Sequence, residues 1–324
     1  MSLLPSFELV RATSVAEVVA ARRRHADCRL LAGGTDLIPN LRRGLASPAV
    51  LVDITALPGM QEITAEPAGV RIGAGVTLSQ LVADPIVRRH FPALADAAAA
   101  VAGPTHRASA TLGGNLCLDT RCVFYNQSDW WRRSNDFCLK YRGTVCHVAP
   151  TGSHCHATYS GDTAPALLVL GAEAELGTAD GTRRIALTEL FRDDGADPLT
   201  LGTDEMLLSV RLPIEPGLVA GYEKARLRGA IDFPLAGVAM SLRRHDGKLA
   251  ALRIAVTGTN SRPLLVAGCE ALLGHPLDAN ALKQINKLVQ KQVVPMRTTI
   301  APGHYRRRVA AALACRLASR LFSR

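Results

Sequence analysis

The chain has 324 residues, of which 48% are hydrophobic and 20% charged, enough for two or three domains with sizeable cores. No apolar run approaches the roughly 18 residues that span a bilayer, and the first residues lack the basic-then-apolar order of a signal peptide. We therefore expect a soluble, cytoplasmic protein without a membrane partner. The net charge of +10 comes from scattered arginine runs with few aromatic residues among them, which argues against nucleic-acid binding. These arginines form either solvated surface or a docking surface for an acidic partner.

The first predicted unit contains a helix, a strand and a glycine-rich turn. The segment from Ser14 to Arg24 predicts a helix, with Ser14 as its N-cap and Glu17 three positions later. An apolar strand then leads into residues 31–36, Leu-Ala-Gly-Gly-Thr-Asp, which we name the first glycine turn, ahead of a helix predicted from Pro39. Its amides could bind a pyrophosphate, although a plain turn explains the same residues. A buried strand over 49–54 closes this unit.

The second unit contains a second glycine turn. Residues 111–115, Thr-Leu-Gly-Gly-Asn, form this turn, and Asn115 can both donate and accept hydrogen bonds. The chain regains regular structure near Asp162, which taken alone predicts a helix cap. From residue 173 onwards, short alternating segments and later helices predict an α+β domain. The further predicted strands are 69–76, 207–213, 221–228 and 252–256, with a hairpin turn at 179–181. The further predicted helices are 92–102, 262–273, 279–291 and 305–322.

Between these two parts lies a stretch rich in cysteine. Four of the eight cysteines and both tryptophans fall between residues 122 and 155. In a reducing cytosol, clustered cysteines are more often metal ligands than disulfides, whereas the isolated Cys28, Cys269 and Cys315 suit small buried hydrophobic positions. Four thiolates suit a [4Fe–4S] cluster or a tetrahedral zinc ion, and the spacing alone does not decide between them. Zinc could also recruit histidines from the same stretch, which are otherwise surface residues: His147, His154 and His156.

Taken together, these motifs resemble the FAD-binding medium subunit of the molybdenum hydroxylase family, which includes xanthine dehydrogenases and carbon monoxide dehydrogenases. The resemblance covers nearly the whole chain outside the cysteine-rich stretch. It rests on the two glycine turns, on Asp162 followed by Ala-Pro-Ala-Leu-Leu, on residues 207–210, and on Lys224 ahead of Arg228 and Asp232. It implies an α+β fold with a two-part N-terminal FAD-binding region and a smaller C-terminal α+β domain with an antiparallel sheet and helices.

The resemblance also implies domain limits and residue roles. The expected domains are 1–55, 56–175 with an iron–sulfur insertion at about 118–159, and 176–324. The two glycine turns would embrace the FAD pyrophosphate, Asp162 would bind the adenosine part, and Leu208 and Lys224 would contribute from the last domain. The expected FAD-binding residues are Leu31, Ala32, Gly33, Gly34, Thr35, Asp36, Thr111, Gly113, Gly114, Asn115, Asp162, Leu208 and Lys224. The sequence departs from the family pattern at Ala108, where the family prefers Asn, so we assign no role there.

Members of this family usually have only a short link where residues 118–159 stand here. Cys117 is set aside, because relatives without the insertion carry Cys there too. An electron-carrying subunit gains a function from a redox cluster, so a [4Fe–4S] cluster is favoured over zinc. The expected cluster ligands are Cys122, Cys138, Cys146 and Cys155.

A flavin subunit with such an insertion resembles the β subunits of 4-hydroxybenzoyl-CoA reductases. These enzymes remove a phenolic hydroxyl reductively to give benzoyl-CoA in anaerobic aromatic degradation. The resemblance implies a large molybdenum subunit, a small subunit with two [2Fe–2S] clusters, ferredoxin as donor, and a dimer of heterotrimers. No catalytic acid or base is expected in this chain, since substrate chemistry would lie on a partner. Two alternatives are a flavin subunit with a zinc-stapled insertion and a metal-stabilised interaction protein whose glycine turns are only turns.

Overall fold

A computed structural model describes residues 4–296 and 301–323; the outermost residues of the predicted first and third domains, Met1 and Arg324, lie outside this part. The strands are β1 (Glu8–Arg11), β2 (Arg29–Leu31), β3 (Val50–Asp53), β4 (Ile63–Glu66), β5 (Gly69–Gly73), β6 (Glu173–Thr178), β7 (Gly181–Ala186), β8 (Met206–Pro213), β9 (Val219–Ala225), β10 (Ala236–His245), β11 (Lys248–Thr257) and β12 (Leu264–Leu265). The helices are α1 (Val15–Arg24), α2 (Leu37–Arg42), α3 (Leu78–Ala83), α4 (Pro85–His90), α5 (Pro92–Ala99), α6 (Pro104–Ser109), α7 (Leu112–Leu116), α8 (Asp129–Ser134), α9 (Thr163–Val169), α10 (Ala279–Gln292) and α11 (Gly303–Phe322).

The first unit is a small parallel sheet with strand order β1-β3-β2. Its central strand β3 is buried because it pairs on both sides and packs under α1. The predicted helix α1 is confirmed, and the Ser14 side chain accepts a hydrogen bond from the Glu17 amide at 3.3 Å, as an N-cap does. The helix after the first glycine turn begins at Leu37, two residues earlier than predicted.

The second unit is a five-stranded antiparallel sheet with order β4-β5-β8-β6-β7. Strand β8 lies between β5 and β6 and hydrogen-bonds to both, so this sheet extends as far as Pro213. The expected boundary between residues 175 and 176 therefore falls within β6, and the sheet does not follow it. The predicted hairpin turn between β6 and β7 is confirmed. The apolar residues of α3, α5 and α9 share one core with the strands of this sheet, and α5 and α9 also contact strands of the third unit.

The third unit is a four-stranded antiparallel sheet with order β12-β11-β10-β9, packed against α10 and α11. The long strands β10 and β11 form a hairpin with a register shift after Arg243. A helix predicted over 262–273 is wrong: that segment holds β12 and a single 3₁₀ turn over Cys269–Leu272, because Gly268 adopts φ +88° and interrupts it. The described residues contain no helix both long enough and apolar enough to cross a membrane.

The last helix is fastened to its sheet by one buried cation. Arg306 is 5% exposed and donates hydrogen bonds to the carbonyls of Leu235 (3.0 Å) and Gly258. Burial lowers the pKa of this guanidinium. Its role is to satisfy carbonyls that the sheet leaves unpaired at its end.

We expect Arg306→Leu to lower the free energy of unfolding by roughly 2 to 4 kcal/mol, because the substitution leaves buried carbonyls without donors. Urea unfolding of the purified protein measures the change. Arg308→Leu on the exposed side of the same helix is the matched control and should stay within about 0.5 kcal/mol of the parent. Equal losses in the two variants would contradict this reading.

Candidate cofactor and metal sites

The first glycine turn lies against the C-terminal end of α6. A Cβ atom on Gly33 would lie 1.8 Å from the Ser109 carbonyl oxygen, so a residue with a side chain fits there only if one segment moves. Gly34 adopts φ +68°, a left-handed conformation that favours glycine. One glycine thus permits the close approach of two backbones, and the other permits the turn itself.

The second glycine turn is held by backbone hydrogen bonds from the five-stranded sheet. The Thr111 side chain accepts from the Gly114 amide at 3.1 Å and so caps α7. The Gly113 amide donates to the Ala74 carbonyl (2.7 Å), and the Ala74 amide donates to the Leu208 carbonyl (2.8 Å). Backbone hydrogen bonds through Ala74 therefore connect Leu208 to this turn. Since the Ser109–Gly33 contact lies just before this turn in the chain, the two glycine turns lie side by side.

The hydrogen bonds of Asn115 connect separate elements of the fold. Its Oδ1 atom accepts hydrogen bonds from both the amide (3.0 Å) and the hydroxyl (2.7 Å) of Thr163, the first residue of α9. Its carbonyl also accepts from the Tyr159 hydroxyl at 3.0 Å. The side-chain oxygen of Asn115 thus joins the second glycine turn to α9 and positions Asp162, which immediately precedes that helix.

Asp162 and Lys224, both expected to bind FAD, pair with each other in the interior. The Lys224 Nζ donates to Asp162 Oδ2 (2.8 Å) and to the Ala100 carbonyl (3.1 Å), while the Tyr222 hydroxyl donates to Asp162 Oδ1 (2.5 Å). Burial raises the pKa of Asp162, and the Lys224 ammonium and the Tyr222 hydroxyl oppose that rise. Burial and the neighbouring carboxylate hold the pKa of Tyr222 well above its ordinary value, so it stays a hydrogen-bond donor.

The first glycine turn is also tied to the start of the cysteine-rich insertion. Asp36 forms an ion pair with Arg121 and accepts a hydrogen bond from the Asn40 side chain at 2.9 Å. Arg121 in turn donates to Asn40 Oδ1 at 2.8 Å. Burial raises the pKa of Asp36, and the Arg121 guanidinium opposes that rise. The side chain of Asp36 therefore faces the insertion.

The insertion leaves and rejoins the fold at one two-stranded neck. The Arg121 amide donates to the Thr158 carbonyl (2.8 Å), and the Thr158 amide donates back to the Arg121 carbonyl (2.7 Å). Above this neck the insertion packs on the end of α2, where the Tyr125 hydroxyl donates to the Leu45 carbonyl at 3.1 Å. The insertion is an ordered lobe with its own small apolar core.

The four predicted cluster ligands line one cavity in this lobe. The cavity is bordered by Cys122, Cys138, Cys146 and Cys155 together with Phe124, Tyr125, Leu139, Lys140, His147 and Val148. All four cysteines are buried, and none of the eight cysteines in the described residues forms a disulfide. Cys117, set aside from the sequence, is absent from this lining. Of the three candidate histidines only His147 reaches the cavity, whereas His154 and His156 stack on each other with ring centroids 4.3 Å apart.

The thiols of the lobe influence one another electrostatically. Burial raises the pKa of Cys122, amides of the following residues oppose this, and the charges of Cys138 and Cys146 raise it further. Burial raises the pKa of Cys155 to about 12, while the Ala157 amide and the Lys140 ammonium oppose the rise. A raised pKa favours the protonated thiol at Cys122 and Cys155, so metal binding at these two residues would release protons.

A single zinc ion and a cubic cluster need different spacings of the four sulfurs. A tetrahedral zinc ion with four Zn–S bonds of about 2.3 Å requires sulfurs about 3.8 Å apart. Among the described residues no group of three or more His, Cys, Asp or Glu side chains is arranged to hold a metal ion. A cubic cluster places iron and sulfide between the thiolates and so needs them farther apart, around a cavity.

Two family models cover the chain. Residues 5–215 match the FAD binding domain in molybdopterin dehydrogenase, and residues 220–321 match the CO dehydrogenase flavoprotein C-terminal domain. The chain belongs to the family of FAD-binding medium subunits of molybdenum hydroxylases. The resemblance seen in the sequence is thereby confirmed at the level of the family, together with its fold and with FAD as the cofactor. The chain is an oxidoreductase subunit.

Individual relatives agree with this assignment. The aldehyde oxidoreductase FAD-binding subunit of Escherichia coli is 31% identical over 85% of this chain and 88% of its own length. The carbon monoxide dehydrogenase medium chain of Afipia carboxidovorans is 28% identical over 98% of both chains. The structure of reconstituted CO dehydrogenase from Oligotropha carboxidovorans superimposes with a TM-score of 0.82 at 26% identity and covers 99% of this chain.

Several residues of these sites were missed from the sequence. Arg121, which pairs with Asp36, and Tyr222, which donates to Asp162, lie in no motif, and their partners are distant in the chain. Lys140 did carry a signal, because it is the first lysine of an otherwise arginine-rich chain and stands two residues after a cluster cysteine.

We expect Gly33→Ala to lose FAD, because its Cβ would overlap the Ser109 carbonyl and push the two glycine turns apart. The flavin-to-protein ratio after purification measures the loss. Gly229→Ala is the control: that glycine is exposed, and its Cβ would have no heavy atom within 4 Å. Full flavin occupancy in Gly33→Ala would show that the close contact is dispensable.

We expect Lys224→Met to destabilise the protein by about 3 to 5 kcal/mol, because it leaves the Asp162 carboxylate buried without its cation. Adding Asp162→Asn should recover part of this loss, so a double-mutant cycle by urea unfolding should yield a coupling energy of about 1 kcal/mol or more. The pair of the exposed Arg228 and the partly buried Asp232 provides the control, where Arg228→Met should cost less than about 1 kcal/mol. Additive effects at the buried pair would contradict the pairing.

Proposed function

We propose that this subunit holds FAD at the two glycine turns and a [4Fe–4S] cluster in the insertion. The proposed FAD-binding residues are those expected from the sequence: the first glycine turn, Thr111, Gly113, Gly114, Asn115, Asp162, Leu208 and Lys224. The adjacency of the two turns and the required glycines in them support this assignment. We propose that Asn115, Asp162 and Lys224 also position the FAD site. The Asn115 side chain hydrogen-bonds to the first residue of α9, and Asp162, which precedes that helix, pairs with Lys224 of β9.

The single observation that carries the cluster proposal is the convergence of Cys122, Cys138, Cys146 and Cys155 on one cavity. Four thiolates are the ligand set of an iron–sulfur cube, and a redox cluster would give an electron-carrying subunit a function that zinc would not. Phe124 and Tyr125 line the same cavity and would exclude water, which tunes the potential of such a cluster. The Asp36–Arg121 pair and the neck hold this lobe beside the first glycine turn.

In the proposed function the subunit transfers electrons and contains no catalytic acid or base. When bound, the flavin supplies the two-electron chemistry of the subunit. Electrons would pass from a donor such as ferredoxin towards [2Fe–2S] clusters on a small partner and a molybdenum site on a large partner, in a dimer of heterotrimers. The complex would reduce 4-hydroxybenzoyl-CoA to benzoyl-CoA in anaerobic aromatic degradation. The unpaired thiols of all eight cysteines suit a reducing cytoplasm.

The alternative is a flavin subunit of a related molybdenum hydroxylase whose insertion is stapled by zinc. His147 at the cavity would supply a further zinc ligand.

We expect the anaerobically purified protein to contain about four iron and four acid-labile sulfide per chain. Cys155→Ser should lose most of this iron and keep its FAD, because the four-cysteine cavity and the glycine turns are separate sites. Cys269→Ser is the matched control, since Cys269 is equally buried but lies in the third unit. Zinc in place of iron would establish the alternative.

For the reaction, we expect the assembled complex with a reduced low-potential donor to release benzoyl-CoA from 4-hydroxybenzoyl-CoA. An iron-loaded complex without this activity would restrict the proposal to electron transfer.

A further inference from the structure

Two buried cations lie beside the cavity that the four cysteines line. The side chain of Lys140 is 6% exposed and that of Arg132 is 2% exposed. Both belong to the insertion, and neither was expected to have a role. Burying a cation is costly unless a negative charge compensates it, so each requires a partner.

Lys140 is fixed at the wall of the cavity that the four cysteines line. Its Nζ donates to Asp119 Oδ1 (2.8 Å), Thr120 Oγ1 (2.7 Å) and the Gly195 carbonyl (2.5 Å). It also lies 5.2 Å from the centroid of the Tyr125 ring. The three hydrogen bonds hold the ammonium in place, whereas its one carboxylate partner, Asp119, is 42% exposed and thus screened by water.

Arg132 is placed one aromatic layer behind the cavity. Its guanidinium carbon lies 4.5 Å from the Tyr141 ring centroid and 5.7 Å from that of Tyr125, and Nη2 donates to the Gly44 carbonyl at 2.9 Å. Its Nε and Nη1 atoms are buried without a hydrogen-bond partner. The nearest carboxylate, that of Asp129, is half-exposed at 3.8 Å. The described protein thus offers this guanidinium one half-exposed carboxylate, two tyrosine rings and a carbonyl, and leaves two of its nitrogen atoms without a hydrogen-bond partner.

We propose that Lys140 and Arg132 are the charge counterparts of the iron–sulfur cluster and hold its reduction potential up. This inference rests on the proposed cluster. A cubic cluster with four thiolates is an anion, and its one-electron reduction adds a further negative charge. Fixed cations in a low-dielectric lobe stabilise the reduced form more than the oxidised one, so they raise the potential. Asp119 acts in the opposite direction by screening Lys140.

The test is a redox titration of the cluster, followed by EPR on the complete purified protein, with the FAD potential of the same chain as an internal reference. Lys140→Gln should lower the reduction potential of the cluster by about 59 mV or more. For a one-electron couple held at a fixed solution potential, this shift lowers the ratio of reduced to oxidised cluster at least tenfold. Lys140→Arg should keep the parent value. Asp119→Asn should shift the potential upwards, because it unmasks the lysine charge.

Arg133→Gln is the matched control, since Arg133 neighbours Arg132 on the same helix but is 71% exposed. Its removal should leave the cluster potential unchanged, because water and salt screen an exposed charge. A merely structural lysine would affect iron content without producing shifts of opposite sign in Lys140→Gln and Asp119→Asn.

Iron-loaded Lys140→Gln with an unchanged cluster potential would overturn the inference and leave the proposed function standing. If Lys140→Gln purifies without iron, Asp119→Asn decides: an upward shift supports the inference and no shift overturns it. A parent protein with FAD but without iron would overturn the cluster and the inference together.

Discussion

The buried contact between the Asp162 carboxylate and the Lys224 ammonium is the interaction on which the arrangement of the units depends. Asp162 immediately precedes α9 in the FAD-binding region, and Lys224 belongs to β9 of the third unit. Each charge is stable in the interior only because the other is there. The contact therefore fixes how the last unit meets the FAD-binding region, and Asn115 extends the same network to the second glycine turn. The residues proposed to contact FAD at separate points thus also form one continuous hydrogen-bonded network.

The insertion extends this plan. It is joined to the fold by a two-stranded neck, and four contacts also bind it to the first unit: Arg121 with Asp36 and with Asn40, Tyr125 with Leu45, and Arg132 with Gly44. Because Asp36 ends the first glycine turn, the lobe and the turn share one polar junction. The distance between the two proposed cofactors is thus set by side chains of the turn, and not by a flexible linker.

The sequence predicted the features that have local causes. Ser14 capping α1 and the double-glycine turns follow from residue chemistry read over a short window, whereas Cys117 was set apart from the other four cysteines of its region through the family resemblance. Features with non-local causes were harder to predict. Strand β8 pairs with β5 from a distant part of the chain, so the five-stranded sheet extends past the expected boundary at 175, which stays a prediction. The helix predicted over 262–273 had adequate apolar spacing, but Gly268 and pairing with β11 took precedence.

The neck of the insertion has an evolutionary consequence. Arg121 and Thr158 hydrogen-bond to each other, so the host fold meets the lobe at two adjacent positions, much as it would meet a tight turn. Closing a longer loop between such positions costs little additional entropy, because the cost grows only with the logarithm of length. A flavoprotein could therefore acquire or discard a lobe of this kind as a unit, without rebuilding the sheets below it. Transplanting the lobe onto the equivalent link of a relative would require matching the two residues of the neck and the contacts with the first unit.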